Sequence, residues 1–488
     1  MLRMYRIVLI LFCLAVNATT GWSQPNETLK PNVIIFIADD ISWNDFGCYG
    51  NKEVKTPNID RIASRGVKFN NFYLTTSSCS PSRISIMTGR YPHNTGAAEL
   101  HTEPTVDFAT MGSVLKENGY YTAQAGKWHM GEKIKSGFDT IIEKHSDNGD
   151  GGEEQWVDVL QKRDKDKPFF FWYAAYDAHR IWGENKFSNA HTEQNVAPPT
   201  TLVDGTETRK DLAQYYDEIK RFDHYIGKVE QELATQGVLK NTLIIIMADN
   251  GRPFPRDKTR LYDSGIKTPF IVSWKKGIQA KGTTCNSLVS AIDIAPTIVA
   301  VSQSKQPKSF QGKSFENLLN NSNLKFRNYV FAEHNWHDYE AHERMVRNSE
   351  FMYIMNSRPQ LANQGPLDAV RSPSFSELVA HRDAGKLSST QKDIFMAPRA
   401  SEELFDCKTD SLQINNLIGN PAHQTIHSEL KNTLKKWMAK TKDNIPEKLT
   451  KDWYSRTGEK SDQKIDKVRG EMPGKASKAE APNVKDIF

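Results

Sequence analysis

Cysteine is scarce in this chain. Five are present among 488 residues: Cys13, Cys48, Cys79, Cys285 and Cys407. So few, in a chain that reads as exported, exclude a disulfide-stapled scaffold, and spacing alone pairs none of them. An excess of one charge is also missing. Lysine and arginine (64) nearly balance aspartate and glutamate (59), leaving a formal +5. That balance gives no footing for nucleic-acid binding and only slight support for an anionic substrate. After residue 16 no apolar run is long enough for a membrane span. No internal repeat occurs.

What is present begins with an export signal. Arg3 and Arg6 precede the apolar run Ile7 to Val16, which is too short to span a bilayer. Residues 1–23 read as a signal peptide cleaved between Ala18 and Gln24, giving a periplasmic or secreted protein. The competing reading is an uncleaved anchor. Phe12 before Cys13 argues against a lipid-modified cysteine.

The remaining length fits one large α/β domain and a smaller one. Asn32 to Ala38 (NVIIFIA), Pro168 to Tyr176 (PFFFWYAAY) and Thr242 to Ala248 (TLIIIMA) are continuous apolar runs. Such runs predict strands buried on both faces of a parallel sheet. Val67 to Leu74, Tyr120 to Ala125 and Pro269 to Trp274 add strands. Helical patterns cover Asn58 to Ser64, Thr110 to Glu117, Thr208 to Leu233 and Asp293 to Val301. The alternation predicts a large, mostly parallel sheet sandwiched by helices over residues 24–307. A smaller α+β domain follows over 308–440, with strands at Tyr329 to Glu333 and Met345 to Met355 and a helix at Ser428 to Lys440. Residues 441–488 are polar and lysine-rich and read as an extended or partly disordered tail.

Cys79-Ser80-Pro81-Ser82-Arg83, continuing to Thr88-Gly89-Arg90, reads as a helix start. Ser78 or Ser80 can cap it, and Pro81 suits its first turn. The unpaired N–H groups there favour an anion, and the same field predicts a lowered Cys79 thiol pKa. The alternative is a buried structural cysteine.

Two buried strands end in paired oxygen ligands, Asp39-Asp40 and Asp249-Asn250. Neighbours in a strand face opposite ways, so both members of a pair converge only where the chain has left the strand. Three carboxylates and one amide oxygen suit Ca²⁺ or Mg²⁺; turn or capping carboxylates are the alternative. Lys127 and His129 follow one predicted strand, His179 another, and Lys258 lies eight residues past Asn250. Sites in open α/β sheets form beyond the carboxyl ends of strands, where one pocket can gather all of these.

Together these segments resemble the type I, formylglycine-dependent sulfatases of the alkaline-phosphatase-like superfamily. The matching pieces are Pro31 to Asp40, Cys79 to Arg83 with Thr88-Gly89-Arg90, Gly126-Lys127-Trp128-His129, Asp249-Asn250-Gly251, and Glu403 to Asp406 with Asn416-Leu417. Ser78 to Arg83 and Asn250 to Pro255 look most like the heparan N-sulfatase (sulfamidase) branch, which includes bacterial polysaccharide sulfatases. The resemblance implies that a separate maturation enzyme oxidises Cys79 to formylglycine, whose hydrate is the nucleophile. It implies that Asp39, Asp40, Asp249 and Asn250 hold a Ca²⁺ that also contacts residue 79. Arg83 and Lys127 would stabilise the hydrate, His129 would act as the base that regenerates the aldehyde, and His179 and Lys258 would assist the leaving oxygen. Two departures stand out. Lys258 is chosen over Arg256 and Arg260 by local spacing, and Arg180-Ile181 follows His179 where many members carry a proline.

His93 and His101 are expected to face the sugar. His337, His342 and Arg344, with His334 and Arg347, are expected to form a substrate wall. The expected activity is hydrolysis of sulfate from a carbohydrate, either a glycosaminoglycan or an algal polymer such as ulvan or carrageenan. The alternatives are a phosphonate or phosphate ester hydrolase, an N-sulfoglucosamine sulfohydrolase, or a sulfated-glycan binding protein with a retired site.

Overall fold

The computed structural model describes residues 30–105, 108–182, 190–456 and 467–474. The expected signal peptide lies outside them. An eight-stranded sheet forms the centre. Its strands in chain order are β1 (Asn32–Ala38), β2 (Val67–Phe69), β3 (Tyr121–Gly126), β4 (Thr140–Ile142), β5 (Phe169–Ala174), β6 (Thr242–Ala248), β7 (Phe270–Ser273) and β8 (Thr283–Cys285). Their spatial order is β4-β3-β5-β1-β6-β7-β2-β8. All pairings are parallel except those of β7 with β6 and β2.

The unbroken apolar run of β1 has a simple cause. Val33, Ile35 and Ile37 pack into one core layer, and Ile34, Phe36 and Ala38 into the other. Helix α1 (Pro57–Ala63) and the long helix α3 (Thr206–Thr235) cover the second face. Helix α2 (Cys79–Thr88) lies in the first layer, and all ten of its residues are buried. Ser85 therefore bonds internally: its Oγ lies 2.6 Å from Thr75 Oγ1 and donates to Arg90 O.

The mostly parallel sheet with helices on both faces agrees with the reading of the sequence. Two predicted strands prove composite. Val67 to Leu74 breaks at Asn70-Asn71: Val67–Phe69 joins the large sheet, and Phe72–Tyr73 pairs with Val289–Ser290. Met345 to Met355 folds back at Asn348, whose Oδ1 accepts the N–H groups of Glu350 (2.8 Å) and Phe351 (2.7 Å). This side-chain turn gives two antiparallel strands where the apolar pattern suggested one. They belong to a second sheet, Val330–His334, Glu343–Arg347, Phe351–Asn356 and Glu402–Asp406, antiparallel throughout. Helix Gln424–Thr441 packs on it, with Trp437 stacked 5.0 Å from Phe331.

The tail differs from expectation. Residues 441–456 and 467–474 pack against the body. Trp453 meets Trp336 at 4.3 Å, and Arg469 binds Glu99 at 2.9 Å while lying over Trp336. Its two tryptophan-contacting groups are isolated in a polar stretch, so composition hides them.

Candidate active site

Because β1, β3, β5 and β6 are mutually parallel, the segments that leave them share one edge. At the end of β1 the chain turns at once. Asp39 N–H donates to Asp177 O (2.7 Å), and Asp40 takes a left-handed φ of 65°. Both carboxylates thereby point into one place. After β6, Asp249 arrives beside them, and Asp40 N–H donates to its Oδ1 at 3.2 Å. Gly251 is required in the turn that follows, since a Cβ there would sit 2.1 Å from Ser264 O. Cys79, at the first turn of α2, completes the group. Its Sγ lies 3.7 Å from Asp39 Oδ1 and 3.9 Å from Asp40 Oδ1. One ligand atom from each of Asp39, Asp40, Asp249 and Cys79 falls within 4.8 Å of every other.

Three fixed cations surround the carboxylates. Arg83, one helical turn past Cys79, donates from Nε to Asp249 Oδ2 (2.7 Å) and lies 3.6 Å from Asp39. Lys127 pairs with Asp39. It follows Gly126, whose φ of 97° and approach to Ala174 O leave no room for a Cβ. Lys258 Nζ bridges Asp40 (2.7 Å) and Asp368 (2.9 Å). His179 Nε2 lies 3.6 Å from Asp368 and 4.0 Å from Asp40. His129 Nε2 meets His101 Nδ1 at 2.8 Å, while its own Nδ1 is buried without a partner.

These charges are strongly coupled. Burial, then the Asp39 and Asp368 carboxylates, lift Asp40 to about 7 against the pull of Lys258. Burial with Asp39 and Asp40 nearby lifts Asp249 to about 6 despite Arg83. Burial also raises Asp39, but Lys127, His179, Arg83 and Lys258 together outweigh it and hold that group below the usual carboxylate range. Burial drives His129 well below the usual imidazole range. Burial with Lys258 and Lys127 pushes His179 down to about 4. The lowered thiol pKa expected of Cys79 is overturned: burial raises it well above the ordinary value, and the nearby carboxylates add to that. Desolvation outweighs the helix field.

The arrangement fits a divalent cation. Four carboxylates face three permanent cations, so a bound M²⁺ reverses the local excess of negative charge. Asn250 Oδ1 is buried without a partner, although its Nδ2 donates to Asp40. A hard cation satisfies such an oxygen and keeps its carboxylate neighbours ionised. Above the group opens a cavity of about 1130 Å³, which Lys127, His129, His179, Lys258 and His337 help to line.

Residues 31–304, more than half the chain, match the family described as Sulfatase. The chain belongs to the sulfatase family. It is a sulfuric ester hydrolase of the sulfamidase-like branch, for residues 254–355 match the family described as N-sulphoglucosamine sulphohydrolase, C-terminal. An ulvan-active sulfatase of Formosa agariphila is 29% identical over 477 residues, covering 86% of this chain and 76% of that protein. Human N-sulphoglucosamine sulphohydrolase is 29% identical over 458 residues, covering 84% and 90%. A solved structure of a protein bound to its substrate D-glucosamine-2-N,6-O-disulfate superposes with a TM-score of 0.64 at 20% identity, covering 84% of this chain and 98% of that one.

In this sulfatase the Thr88-Gly89-Arg90 segment is a helix terminator. Thr88 Oγ1 donates to Ile84 O, Gly89 takes the left-handed cap at φ 59°, and Arg90 Nε donates to Asn94 O. Ser78 occupies the N-cap position but makes no capping bond. Its Oγ lies 2.7 Å from His337 Nδ1, while Ser80 Oγ accepts His101 N–H.

The expected sugar contacts divide. His101 and His337 line the cavity. His93, His342 and Arg344 do not, which corrects the expected substrate wall. His93 is fully buried, with Nδ1 3.0 Å from Glu333 Oε2. His342 bonds Ser357 and Asn444 O. Arg344 grips Asp443 at 2.5 and 2.9 Å. His334 pairs with Glu343, and Arg347 with Asp263. In each case the side chain meets a carboxylate or carbonyl in the interior, because a buried polar group needs a partner. Asp368 was missed. It stands alone in a weakly patterned stretch, and nothing local distinguishes it from a surface acid.

Proposed function

We propose that this sulfatase is exported and removes sulfate from a sulfated carbohydrate, using formylglycine made from Cys79 and Ca²⁺ held by Asp39, Asp40, Asp249 and Asn250. The observation that carries this reading is the convergence of Asp39, Asp40 and Asp249 on Cys79, with Asn250 bonded to Asp40, beneath three cations. The modified residue supplies a nucleophilic hydrate oxygen, and the ion supplies positive charge for non-bridging sulfate oxygens.

The chain's own residues do the rest. Arg83 is held by Asp249 at 2.7 Å and Lys127 by Asp39, so their charges are oriented before substrate arrives. His129 is kept neutral by burial, so one of its ring nitrogens carries a lone pair able to accept a proton. Burial lowers the Lys258 ammonium's affinity for its proton, but Asp368 and Asp40 raise it further, and the group stays charged. Beside neutral His179, Lys258 is the permanent charge available to a departing oxygen.

The relatives named for ulvan and for N-sulphoglucosamine support a carbohydrate substrate, as does a cavity of about 1130 Å³. Arg3, Arg6 and the run Ile7 to Val16 support export with loss of residues 1–23, and formylglycine requires a maturation enzyme as partner. Sulfate release from a panel of O- and N-sulfated mono- and oligosaccharides, run beside phosphate and phosphonate esters, tests the reading. Turnover should be greatest on a sulfated sugar. Faster cleavage of a phosphonate monoester would move the assignment to the ester hydrolases.

A further inference from the structure

A second concave surface lies at the opposite end of the large sheet. It runs along α1 and the carboxyl-terminal half of α3, and continues past the start of β6 and the end of β7. Two adjoining cavities, of about 420 and 510 Å³, share Ala234 and Leu239. Arg61 and Lys228 line the first, and Arg65, Lys240, Lys275 and Lys281 line the second. Glu230 is the one acidic residue lining either, and both Arg61 (2.5 Å) and Arg65 already hold it. Six cations to one acid departs sharply from a whole chain with 64 and 59.

The surplus charge is unspent. Lys240, Lys275 and Lys281 are exposed, and among the described residues none makes an ion pair. Their backbones are nonetheless fixed. Lys276 N–H donates to Lys240 O at 3.0 Å, and Gly282 N–H to Gly66 O at 2.8 Å. The floor between them is apolar, with Ala234, Leu239 and Ile244. From Lys228 to Ala234 alone the groove follows α3 for roughly 9 Å, at 1.5 Å per residue, before it reaches the three lysines. Like charges held along a fixed groove repel one another unless a polyanion occupies it.

We propose that this groove is a non-catalytic binding site for a sulfated polysaccharide chain. The inference rests on the carbohydrate reading of the active site. The enzyme's own reaction class selects a sulfated polymer among polyanions: sulfate groups meet the lysine rim, and the apolar faces of sugar rings meet the floor. The groove shares no lining residue with the active cavity. It lies a strand's length away, roughly 20 Å at about 3.3 Å per residue. It therefore acts by holding polymer near the enzyme, which raises the effective concentration of sulfate esters without touching the chemical step.

The full chain carrying Lys240→Glu, Lys275→Glu and Lys281→Glu tests this against a control of equal charge change, Lys386→Glu, Lys435→Glu and Lys436→Glu. Binding to heparin and to duplex DNA is measured against salt, and KM is measured on a sulfated polymer and on a sulfated monosaccharide. The groove variant should bind heparin at least about tenfold more weakly, with a salt slope smaller by roughly 2 to 3, as lost counterion release requires. Its KM should rise on polymer alone. The control variant should behave as the parent does. Unchanged heparin binding, an equal loss in the control, or tighter binding to DNA than to heparin would overturn the proposal. Heparin binding is read without turnover. A parent enzyme inactive on every sulfated sugar therefore counts against the carbohydrate reading, separately from the groove result.

Discussion

Cys79 is held among groups that give a thiol nothing to do. Burial and carboxylates suppress its ionisation, and its neighbours are arranged for an anion and a hard cation. The site therefore suits the formylglycine that we propose Cys79 becomes. His101 illustrates how a side chain's role depends on its partner. It reads from sequence as a sugar contact, yet its Nδ1 lies 2.8 Å from His129 Nε2, which holds that ring's direction. For His101→Ala we expect kcat to fall about tenfold, less than the roughly 10²–10⁴-fold that general-base assistance itself contributes, with KM for a small sulfated sugar nearly unchanged. Steady-state kinetics decides it. A rise in KM at constant kcat would return His101 to the role of a sugar contact.

Elements, more than single residues, make the site possible. Four parallel strands end at one edge, and each hands over to an irregular turn that aims one or two functional groups inward. Gly126 is the clearest case. With φ at 97° and a Cβ position 1.8 Å from Ala174 O, Gly126→Ala must shift either β5 or the segment carrying Lys127 and His129. The strained backbone alone costs about 1–3 kcal/mol. We expect a lower melting temperature and a larger proportional loss of turnover; thermal unfolding beside kinetics would show a neutral substitution if this is wrong. The strands themselves were legible, because NVIIFIA and TLIIIMA leave no polar face for any other arrangement. Asp39, Asp40, Asp249, Asn250, Lys127, His129 and His179 could be placed at one edge because each follows a predicted strand, and Lys258 because it lies eight residues past Asn250. Asp368 was not, since it reaches Lys258 across 110 residues with no periodic pattern around it. The second sheet's histidines misled for the opposite reason. A His and Arg cluster looks the same in sequence whether it faces solvent or a buried Glu333 and Asp443.

At the scale of the molecule, buried charge fastens the small sheet to its surroundings. His93, Glu333, Arg344 and Asp443 tie the turn after α2 to the small sheet and to the end of the C-terminal helix. The active edge is a second charged region, and a bound cation would stabilise it. In the metal-free protein Asp40 titrates near 7 and Asp249 near 6, against 3.8 for an ordinary aspartate. These folded carboxyls hold protons that the unfolded chain has released, so stability falls as pH rises from about 4 to about 7. Asp39 is shifted the other way, and its contribution is lost only as pH falls below about 4. Chelated protein should therefore melt several degrees lower at pH 8 than at pH 5. Added Ca²⁺ should raise the melting temperature more at pH 8, where no proton competes for the site. Differential scanning calorimetry at both pH values checks this; an equal or larger Ca²⁺ effect at pH 5 would contradict it.

The most direct measurement is the mass of the tryptic peptide carrying Cys79, taken from preparations of graded sulfatase activity. The account predicts that an aldehyde replaces the thiol in proportion to specific activity, and that Cys79→Ala folds but releases no sulfate. A fully active preparation in which Cys79 remains a thiol would contradict it.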